Sequence, residues 1–171
     1  GAVAFRPEVG REFASGELRA NQPIIAFYRS ASNEFLAVGS GYHVNAMTSG
    51  VLTRHPRLRL AFSHGGGALP MALPRMQHAW EHMTPVHQCM AQAPRELARR
   101  LFVDNLVYDR SAIGYLMDIY GPTQVMAGSD YPFAIMERDP ALRINGLGLD
   151  DSTRNLLRRA NALRWLGRAQ I

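Results

Sequence analysis

Short apolar runs alternate with segments of helical periodicity along this chain, and this alternation limits the fold more than any other feature. Runs rich in β-prone residues and bounded by turn residues predict strands. The chain has five such runs, at residues 2–6, 24–28, 58–63, 101–103 and 123–127. Because strands that alternate with helices are typical of a parallel sheet, the sequence predicts an α/β fold built from βα units.

Helical spacing of apolar residues predicts three helices between these runs, over residues 42–53, 70–83 and 111–120. Ser111 is the expected N-cap of the third helix. The methionines of the second helix are expected to pack in the core. They are Met71, Met76 and Met83.

A final helix is predicted over residues 152–166, ending at Gly167. Its apolar face is expected to pack on the sheet through four leucines. They are Leu156, Leu157, Leu163 and Leu166. Residues 29–41 and 134–148 lack periodicity and contain the serines, glycines and prolines expected of loops.

Length and composition predict one globular domain over residues 1–171, because 47% of the residues are hydrophobic and 19% are charged. No apolar run approaches the roughly 18 residues of a membrane span, and the N-terminus lacks the layout of a secretory signal. We therefore expect a cytoplasmic protein with no membrane partner. The single cysteine, Cys89, cannot form an internal disulfide.

The net charge of +5 comes from nineteen basic residues, all of them arginines. They occur singly or in pairs and form no dense basic stripe with aromatic residues, which disfavours nucleic acid as a partner. Arginine also binds carboxylates through two parallel hydrogen bonds. The composition therefore suits a small carboxylated substrate.

Two polar segments follow predicted buried strands. His64-Gly65-Gly66-Gly67 follows the run at 58–63, and Gly128-Ser129-Asp130 follows the run at 124–127. Each segment has a residue that can bind a metal or move a proton where a strand ends, and parallel α/β barrels collect their active-site groups there. We therefore expect the side chains of His64 and Asp130 to converge.

Four ordered segments resemble the amidohydrolase-related family (amidohydrolase 2), which includes aminocarboxymuconate-semialdehyde decarboxylase. The first extends from Gly50 through the His64-Gly65-Gly66-Gly67 loop to Arg75. The other three are Phe102-Val103-Asp104, the segment 125–133 and Asn161-Ala162-Leu163-Arg164. The resemblance covers residues 44–167 and is specific because the four segments occur in the family's order and spacing.

The resemblance implies a (β/α)8 TIM barrel and a divalent metal, usually zinc. It implies decarboxylation or hydrolysis of small carboxylated aromatic or muconate-type substrates. By resemblance, His64 is the catalytic acid/base and Asp130 is a metal ligand. Gly65 and Gly66 would let the backbone approach the substrate closely. Arg75 would contact a substrate carboxylate across a subunit interface, which implies a homo-oligomer.

Each of these residues also has a structural alternative. His64 can be a buried histidine beside a glycine turn, and Asp130 can be a turn or N-cap aspartate before Tyr131-Pro132. Arg75 can be an ordinary arginine on a helix surface.

The chain departs from the family pattern in two ways. Five strands are fewer than the eight of a barrel, so we expect the C-terminal part of an incomplete barrel that self-associates through its exposed edges. No two of the six histidines stand two residues apart, so the family's paired His-x-His is absent, and Phe27 occupies the expected position of another ligand histidine. The chain is then either part of a metal-dependent enzyme or a non-catalytic half-barrel that functions through self-association or a partner chain.

A second possible metal motif is His78-Ala79-Trp80-Glu81-His82, which matches the H-x-x-E-H pattern of inverted zinc proteases. Its histidines share one helix face at i and i+4. The resemblance instead places this segment in the helix after the glycine loop. There Trp80 would pack against the core and the histidines would face solvent.

Overall fold

The structure, a computed structural model, describes the strand Ile24–Ala26, Met47 and residues 50–168. The described part contains a four-stranded parallel sheet in the order β1-β2-β3-β4. The strands are β1 (Ile24–Ala26), β2 (Leu60–Phe62), β3 (Phe102–Asp104) and β4 (Val125–Met126). The parallel order confirms the predicted βα organisation, while the predicted strand at 2–6 and the positions 27–28 lie outside the described residues.

Eight helices connect or flank these strands in the described residues. They are α1 (Val51–Arg54), α2 (Leu69–His82), α3 (Thr84–Cys89), α4 (Pro94–Ala98), α5 (Arg110–Tyr120), α6 (Pro140–Asn145), α7 (Asp151–Asn155) and α8 (Asn161–Leu166). A 3₁₀ turn covers His64–Gly66, and a π-helical turn covers Leu156–Ala160 between α7 and α8. Within the described part of the chain, none of the helices is long and apolar enough to cross a membrane.

One face of the sheet forms the main core together with α2 and α5. The strands contribute Leu60, Phe62, Val103 and Val125 to this core, and the two helices contribute Leu69, Leu73, Ile113 and Leu116. Because successive strand residues point to opposite faces, the alternate positions form a second cluster on the other face. That cluster is Ala61, Phe102 and Met126 of the strands, together with Trp165 of α8.

The core stripe of α2 differs from the predicted methionine face. Met71 is 76% exposed and Met83 is 52% exposed, so the prediction that they pack in the core is wrong. Met76 is partly buried and does contact the core, as does Trp80. With Leu69 and Leu73 they repeat at three- and four-residue spacing, which defines the buried side of the helix and leaves Met71 and Met83 off it.

The C-terminal helix is predicted correctly in position but not in register. Leu157 is buried, whereas Leu166 is 39% exposed and Trp165 is buried in its place. The π-helical turn at Leu156–Ala160 inserts extra residues into one turn and rotates the following face, which a regular 3.6-residue period does not anticipate. The helix ends before Gly167, whose φ of 70° is left-handed, as predicted.

Other boundaries differ for local chemical reasons. Asp109, rather than the predicted Ser111, caps α5, because its carboxylate accepts the backbone N–H of Ala112. The predicted loop 134–148 contains α6, whose N-cap Asp139 accepts the N–H of Leu142. The predicted loop 29–41 lies outside the described residues.

Asn161 fixes the start of α8 against β4. Its side chain is fully buried, and its Nδ2 donates to the carbonyl oxygens of Pro122 at 2.8 Å and Val125 at 2.7 Å. The amide therefore satisfies two backbone acceptors beside the strand and joins the last helix to the sheet.

We expect Asn161→Ala to lower the free energy of unfolding by about 2 kcal/mol, because it leaves two carbonyl groups without their donor in a buried site. Urea denaturation of the whole chain measures this change. Asn155→Ala, at an exposed position of α7, is the matched control and should stay within about 0.5 kcal/mol of wild type. Equal effects of the two substitutions would contradict the role given to Asn161.

Candidate active site

Three loops meet at the carboxyl ends of β2, β3 and β4. His64 follows β2 by two positions, Asp104 is the last residue of β3, and Asp130 follows β4. Since the strands are parallel and Asp104 pairs with Met126 in register, these loops emerge at one edge of the sheet. This is the edge at which α/β barrels place their reacting groups.

His64 and Asp130 converge at this edge, as the sequence predicts. Nε2 of His64 lies 3.4 Å from Oδ1 of Asp130. The imidazole is 37% exposed and the carboxylate 11% exposed, so one partner faces solvent while the other is largely covered. The separation exceeds the roughly 2.8 Å of a tight charge-assisted hydrogen bond. The pair therefore forms a loose contact with one solvent-accessible member.

Both residues have a left-handed backbone. The φ angles are 55° for His64 and 57° for Asp130, and Tyr108 in the loop after β3 has 54°. Such a conformation costs a residue other than glycine on the order of 1–2 kcal/mol. It persists only where the surrounding contacts determine it, and this kind of local strain is concentrated at functional sites.

Asp104 supplies the contacts that hold the His64 loop. One carboxylate oxygen, Oδ2, accepts from the Ser63 hydroxyl at 2.6 Å. The other, Oδ1, accepts from the backbone N–H groups of Gly65 at 3.0 Å and Leu106 at 3.2 Å. Asp104 thus binds the residues on both sides of His64 and fixes the backbone that presents the imidazole.

Burial has the largest effect on the pKa of the Asp104 carboxyl. The residue is 8% exposed. Burial raises the pKa of its carboxyl, and the three hydrogen bonds and the nearby His64 lower the pKa in part. Asp104 is within a segment that the sequence resemblance includes, but the sequence pattern assigns it no role. A polar residue at the end of an otherwise buried strand is the signal that points to it.

Asn105 holds the loop after β4 in a similar way. Its Oδ1 accepts the N–H of Gly128 at 3.1 Å, and the residue is 2% exposed. A Cβ on Gly128 would lie 2.8 Å from the Cβ of Asp104, so only glycine fits this approach. Among the described residues, Nδ2 of Asn105 has no hydrogen-bond partner. Asp104 and Asn105 therefore join the loops that present His64 and Asp130.

Gly65 and Gly66 are buried against the helix α5. A Cβ on Gly65 would lie 2.8 Å from side-chain atoms of Leu116 and Val107, and one on Gly66 would overlap the hydroxyl of Tyr120. Both have positive φ angles, at 62° and 79°. Packing and backbone conformation thus explain both glycines, while their contact with substrate stays a prediction.

A second set of contacts anchors the segment after Asp130. The Tyr108 hydroxyl donates to the carbonyl of Ile135 at 2.9 Å. Arg143 donates to the carbonyl of Tyr108 at 2.9 Å, forms an ion pair with Glu137 and lies 5.4 Å from the Tyr108 ring centroid. Burial and the negative charges of Asp130, Glu137 and Asp104 raise the pKa of Tyr108. The segment is therefore held against the loop after β3.

Arg75 is not brought into this group. It lies exposed on α2, and in the described part of the chain no hydrogen bond or ion pair joins it to His64 or Asp130. Its role across a subunit interface stays a prediction. Phe27, the position expected for a further ligand, lies outside the described residues.

The donors at this edge suit a divalent metal only in part. An imidazole nitrogen and a carboxylate oxygen are both common metal ligands, and a catalytic zinc site normally takes three protein ligands. Oδ1 of Asp130 contacts His64, whereas its Oδ2 makes no hydrogen bond within residues 50–168. Within residues 50–168 this edge thus offers at most the His64 nitrogen and the Asp130 oxygen, which are fewer than the three ligands of a catalytic zinc site.

Comparison with known proteins supports the architecture. A sequence profile of the family described as "Amidohydrolase" matches residues 38–168. A 2-amino-3-carboxymuconate-6-semialdehyde decarboxylase of Dictyostelium discoideum is 33% identical over 120 residues, which are 69% of this chain and 33% of that protein. The protein of the same name from Caenorhabditis elegans is 34% identical over 95 residues, or 54% of this chain and 23% of that one. The chain spans a third or less of these relatives.

Solved structures show the same fold. The 5-carboxyvanillate decarboxylase of Sphingomonas paucimobilis superposes with a TM-score of 0.68 at 25% identity, over 79% of this chain and 41% of that one. The 2,6-dihydroxybenzoate decarboxylase from Rhizobium gives 0.74 at 17% identity, over 94% and 54%. The 5-carboxyvanillate decarboxylase of Novosphingobium aromaticivorans, with bound manganese, gives 0.69 at 20% identity, over 81% and 41%.

The chain therefore has the fold of an incomplete α/β barrel, as the sequence predicts. The profile match extends over most of the described residues, from the helix before β2 to the end of α8. With its parallel sheet, its strand-end loops and this match, the chain belongs to the amidohydrolase family.

Proposed function

We propose that this chain provides the His64–Asp130 part of the active site of a metal-dependent decarboxylase. Its substrate class is a small carboxylated aromatic or muconate-type compound. The observation that supports the proposal is the 3.4 Å approach of His64 to Asp130 at the carboxyl edge of the sheet. The two relatives and the three solved structures described above are all named decarboxylases, which favours this reaction over the hydrolysis that the family also performs.

Non-oxidative decarboxylation places a clear demand on this site. The bond between carbon and the carboxylate breaks, CO₂ leaves, and the electron pair that stays on the carbon takes up a proton. A general acid must deliver that proton, which contributes roughly 10² to 10⁴ in rate. The solvent-accessible imidazole of His64 is the group proposed to do so.

The two carboxylate oxygens of Asp130 have different proposed roles in this reaction. Its Oδ1 orients the His64 ring, and its Oδ2 makes no bond in the described residues and is the proposed metal ligand. A bound divalent metal supplies a Lewis acid that polarises a substrate oxygen. We propose zinc as this metal, and the manganese in the Novosphingobium enzyme supports a divalent ion more generally.

The second candidate is a non-catalytic half-barrel. It is favoured by one observation: with His64 as the proton donor, Asp130 is the one proposed metal ligand in the described residues, in a chain that spans 33% of the Dictyostelium relative. The two candidates differ in what happens when the upstream part of a barrel is supplied. An enzyme segment then gains metal and turnover, whereas a binding module gains neither.

We expect a chimera of this chain, fused behind the upstream part of the Dictyostelium relative, to bind a divalent metal and release CO₂. Three substrates cover the class: 2-amino-3-carboxymuconate-6-semialdehyde, 5-carboxyvanillate and 2,6-dihydroxybenzoate. In this chimera His64→Ala should lower kcat by about 10²-fold or more, because a positioned proton donor is lost. Asp130→Ala should lower both kcat and the metal content measured by elemental analysis.

His55→Ala, a histidine on the loop before β2, serves as the control and should retain the rate of the chimera. A His64→Ala chimera with undiminished kcat would remove the acid/base role. Absence of both metal and turnover in a folded chimera would favour the half-barrel.

Asp104 is proposed as a positioning residue that acts through His64. Asp104→Ala leaves the donors of Ser63, Gly65 and Leu106 without their acceptor, so kcat of the chimera should fall with little change in KM. Asp104→Asn keeps an oxygen for the two backbone donors and offers an N–H to the Ser63 hydroxyl. This conservative variant should restore most of the rate, an outcome that a general loss of folding would not give.

The stability difference between wild type and Asp104→Asn is expected to depend on pH. The pKa of Asp104 is raised in the folded state, so its stabilising contribution is complete below the unfolded pKa of about 3.9 and is lost as pH rises through the folded pKa. The unfolding free energy of wild type minus that of Asp104→Asn should therefore decrease as pH rises above about 4. Urea melts across this range measure it, and an increase with pH would contradict the assignment.

A further inference from the structure

The C-terminal turn of α2 presents three metal-binding side chains outside the candidate active site. His78, Glu81 and His82 are exposed, and one ligand atom from each lies within 4.8 Å of the others. The imidazole rings of His78 and His82 have centroids 4.1 Å apart and an interplanar angle of 33°. We propose that this cluster, the α2 histidine site, binds a divalent transition-metal ion.

Helix geometry brings these side chains together. Residues three and four apart are neighbours on one face, so the two imidazoles lie one above the other with the carboxylate beside them. Ligand nitrogens at about 2.0 Å from one tetrahedral ion are roughly 3.3 Å apart. The three ligand atoms lie within 4.8 Å of one another on exposed side chains, so the proposal requires only side-chain rotation to reach that separation.

Hydrogen bonding prepares one of the two histidines for this role. Nδ1 of His82 lies 2.9 Å from the carbonyl oxygen of His78. A carbonyl only accepts, so Nδ1 carries the proton and the lone pair is on Nε2, which is free to bind a metal. Metal-bound histidines commonly donate their other ring N–H to such a partner, which fixes both tautomer and ring orientation.

The carboxylate of Glu81 is oriented as well. Its Oε1 accepts from Nε2 of Gln77 at 2.7 Å, one helical turn earlier. This contact limits the motion of the side chain and leaves the second oxygen for an ion. The α2 histidine site therefore offers two imidazole nitrogens and one carboxylate oxygen, with water completing the coordination.

These donors determine the class of ion. Imidazole favours copper, nickel and zinc, whereas calcium and magnesium prefer sites made of oxygen alone. For a given set of nitrogen and oxygen donors, affinity is greatest for Cu²⁺ among the first-row divalent metals. We therefore expect Cu²⁺ to bind more tightly than Ni²⁺ and Zn²⁺.

The α2 histidine site is separate from His64 and Asp130. The helix has 14 residues and begins five positions after His64, so its last turn lies about 20 Å along the axis from its start. Although its sequence matches the inverted zinc protease pattern, all three side chains are exposed. A protease needs a cleft that holds a peptide beside its metal, so the exposure favours binding without catalysis.

Trp80 provides a local optical signal. It lies between the two histidines in sequence, its Nε1 donates to the carbonyl of Met90 at 3.0 Å, and its ring stacks on His87 at 4.2 Å. Cu²⁺ quenches the fluorescence of a nearby indole. The other tryptophan, Trp165, packs against the opposite face of the sheet. Its fluorescence, which remains in a Trp80→Phe variant, serves as the reference signal away from the site.

The test is titration of the whole chain with CuCl₂, NiCl₂ and ZnCl₂, followed by calorimetry and tryptophan fluorescence. We expect His78→Gln and His82→Gln each to weaken Cu²⁺ binding by about tenfold or more, since loss of a ligand costs at least as much as loss of its supporting partner. Quenching should be reversed by EDTA and largely lost in Trp80→Phe. His55→Gln, with its histidine elsewhere, should bind as wild type does.

Asp130→Asn separates this proposal from the proposed function. If it leaves Cu²⁺ affinity unchanged while His78→Gln lowers it, the α2 histidine site is supported whether or not the chain decarboxylates any substrate. If neither histidine variant changes the affinity, or if Asp130→Asn alone abolishes binding, the proposal is overturned. Circular dichroism of each variant establishes that α2 is retained.

Discussion

The arrangement of the candidate site depends on one buried carboxylate. Asp104 accepts three hydrogen bonds, from Ser63, Gly65 and Leu106, at the carboxyl end of β3. A buried carboxylate is costly unless its oxygens are satisfied, so the cost of Asp104 is offset only while the loop after β2 stays in place. Its neighbour Asn105 does the same for the loop after β4. Asp104 at the end of β3 and Asn105 directly after it thus couple the elements that present His64 and Asp130.

Much of this arrangement could be predicted from the sequence, because it depends on short-range patterns. Apolar runs identify the strands, and the parallel topology then places His64 and Asp130 at one edge. The hydrogen bonds that join Asp104 to the loop after β2 could not be predicted in this way, since their donors, Gly65 and Ser63, are 39 and 41 residues away in the chain. Only the folded sheet shows which polar strand-end residue contacts which loop.

The errors at the C-terminus have a different origin. A periodic pattern assumes 3.6 residues per turn, and the π-helical turn at Leu156–Ala160 breaks that assumption midway along the predicted helix. The buried face therefore changes from Leu157 within the turn to Trp165 after it. Trp165 then covers the second face of the sheet, with Nε1 donating to the carbonyl of Arg59 at 3.3 Å. A tertiary contact, rather than local propensity, decides which residue is buried there.

The left-handed backbone at the strand ends restricts which side chains these positions accept. Outside glycine, histidine, aspartate and asparagine are the residues found most often at positive φ. This short set includes a common proton carrier and two common oxygen donors for metals. At the positions of His64 and Asp130 the backbone conformation thus favours side chains that can carry a proton or bind a metal. Side chains could be exchanged within that set to alter the chemistry of the site while the loops keep their shape.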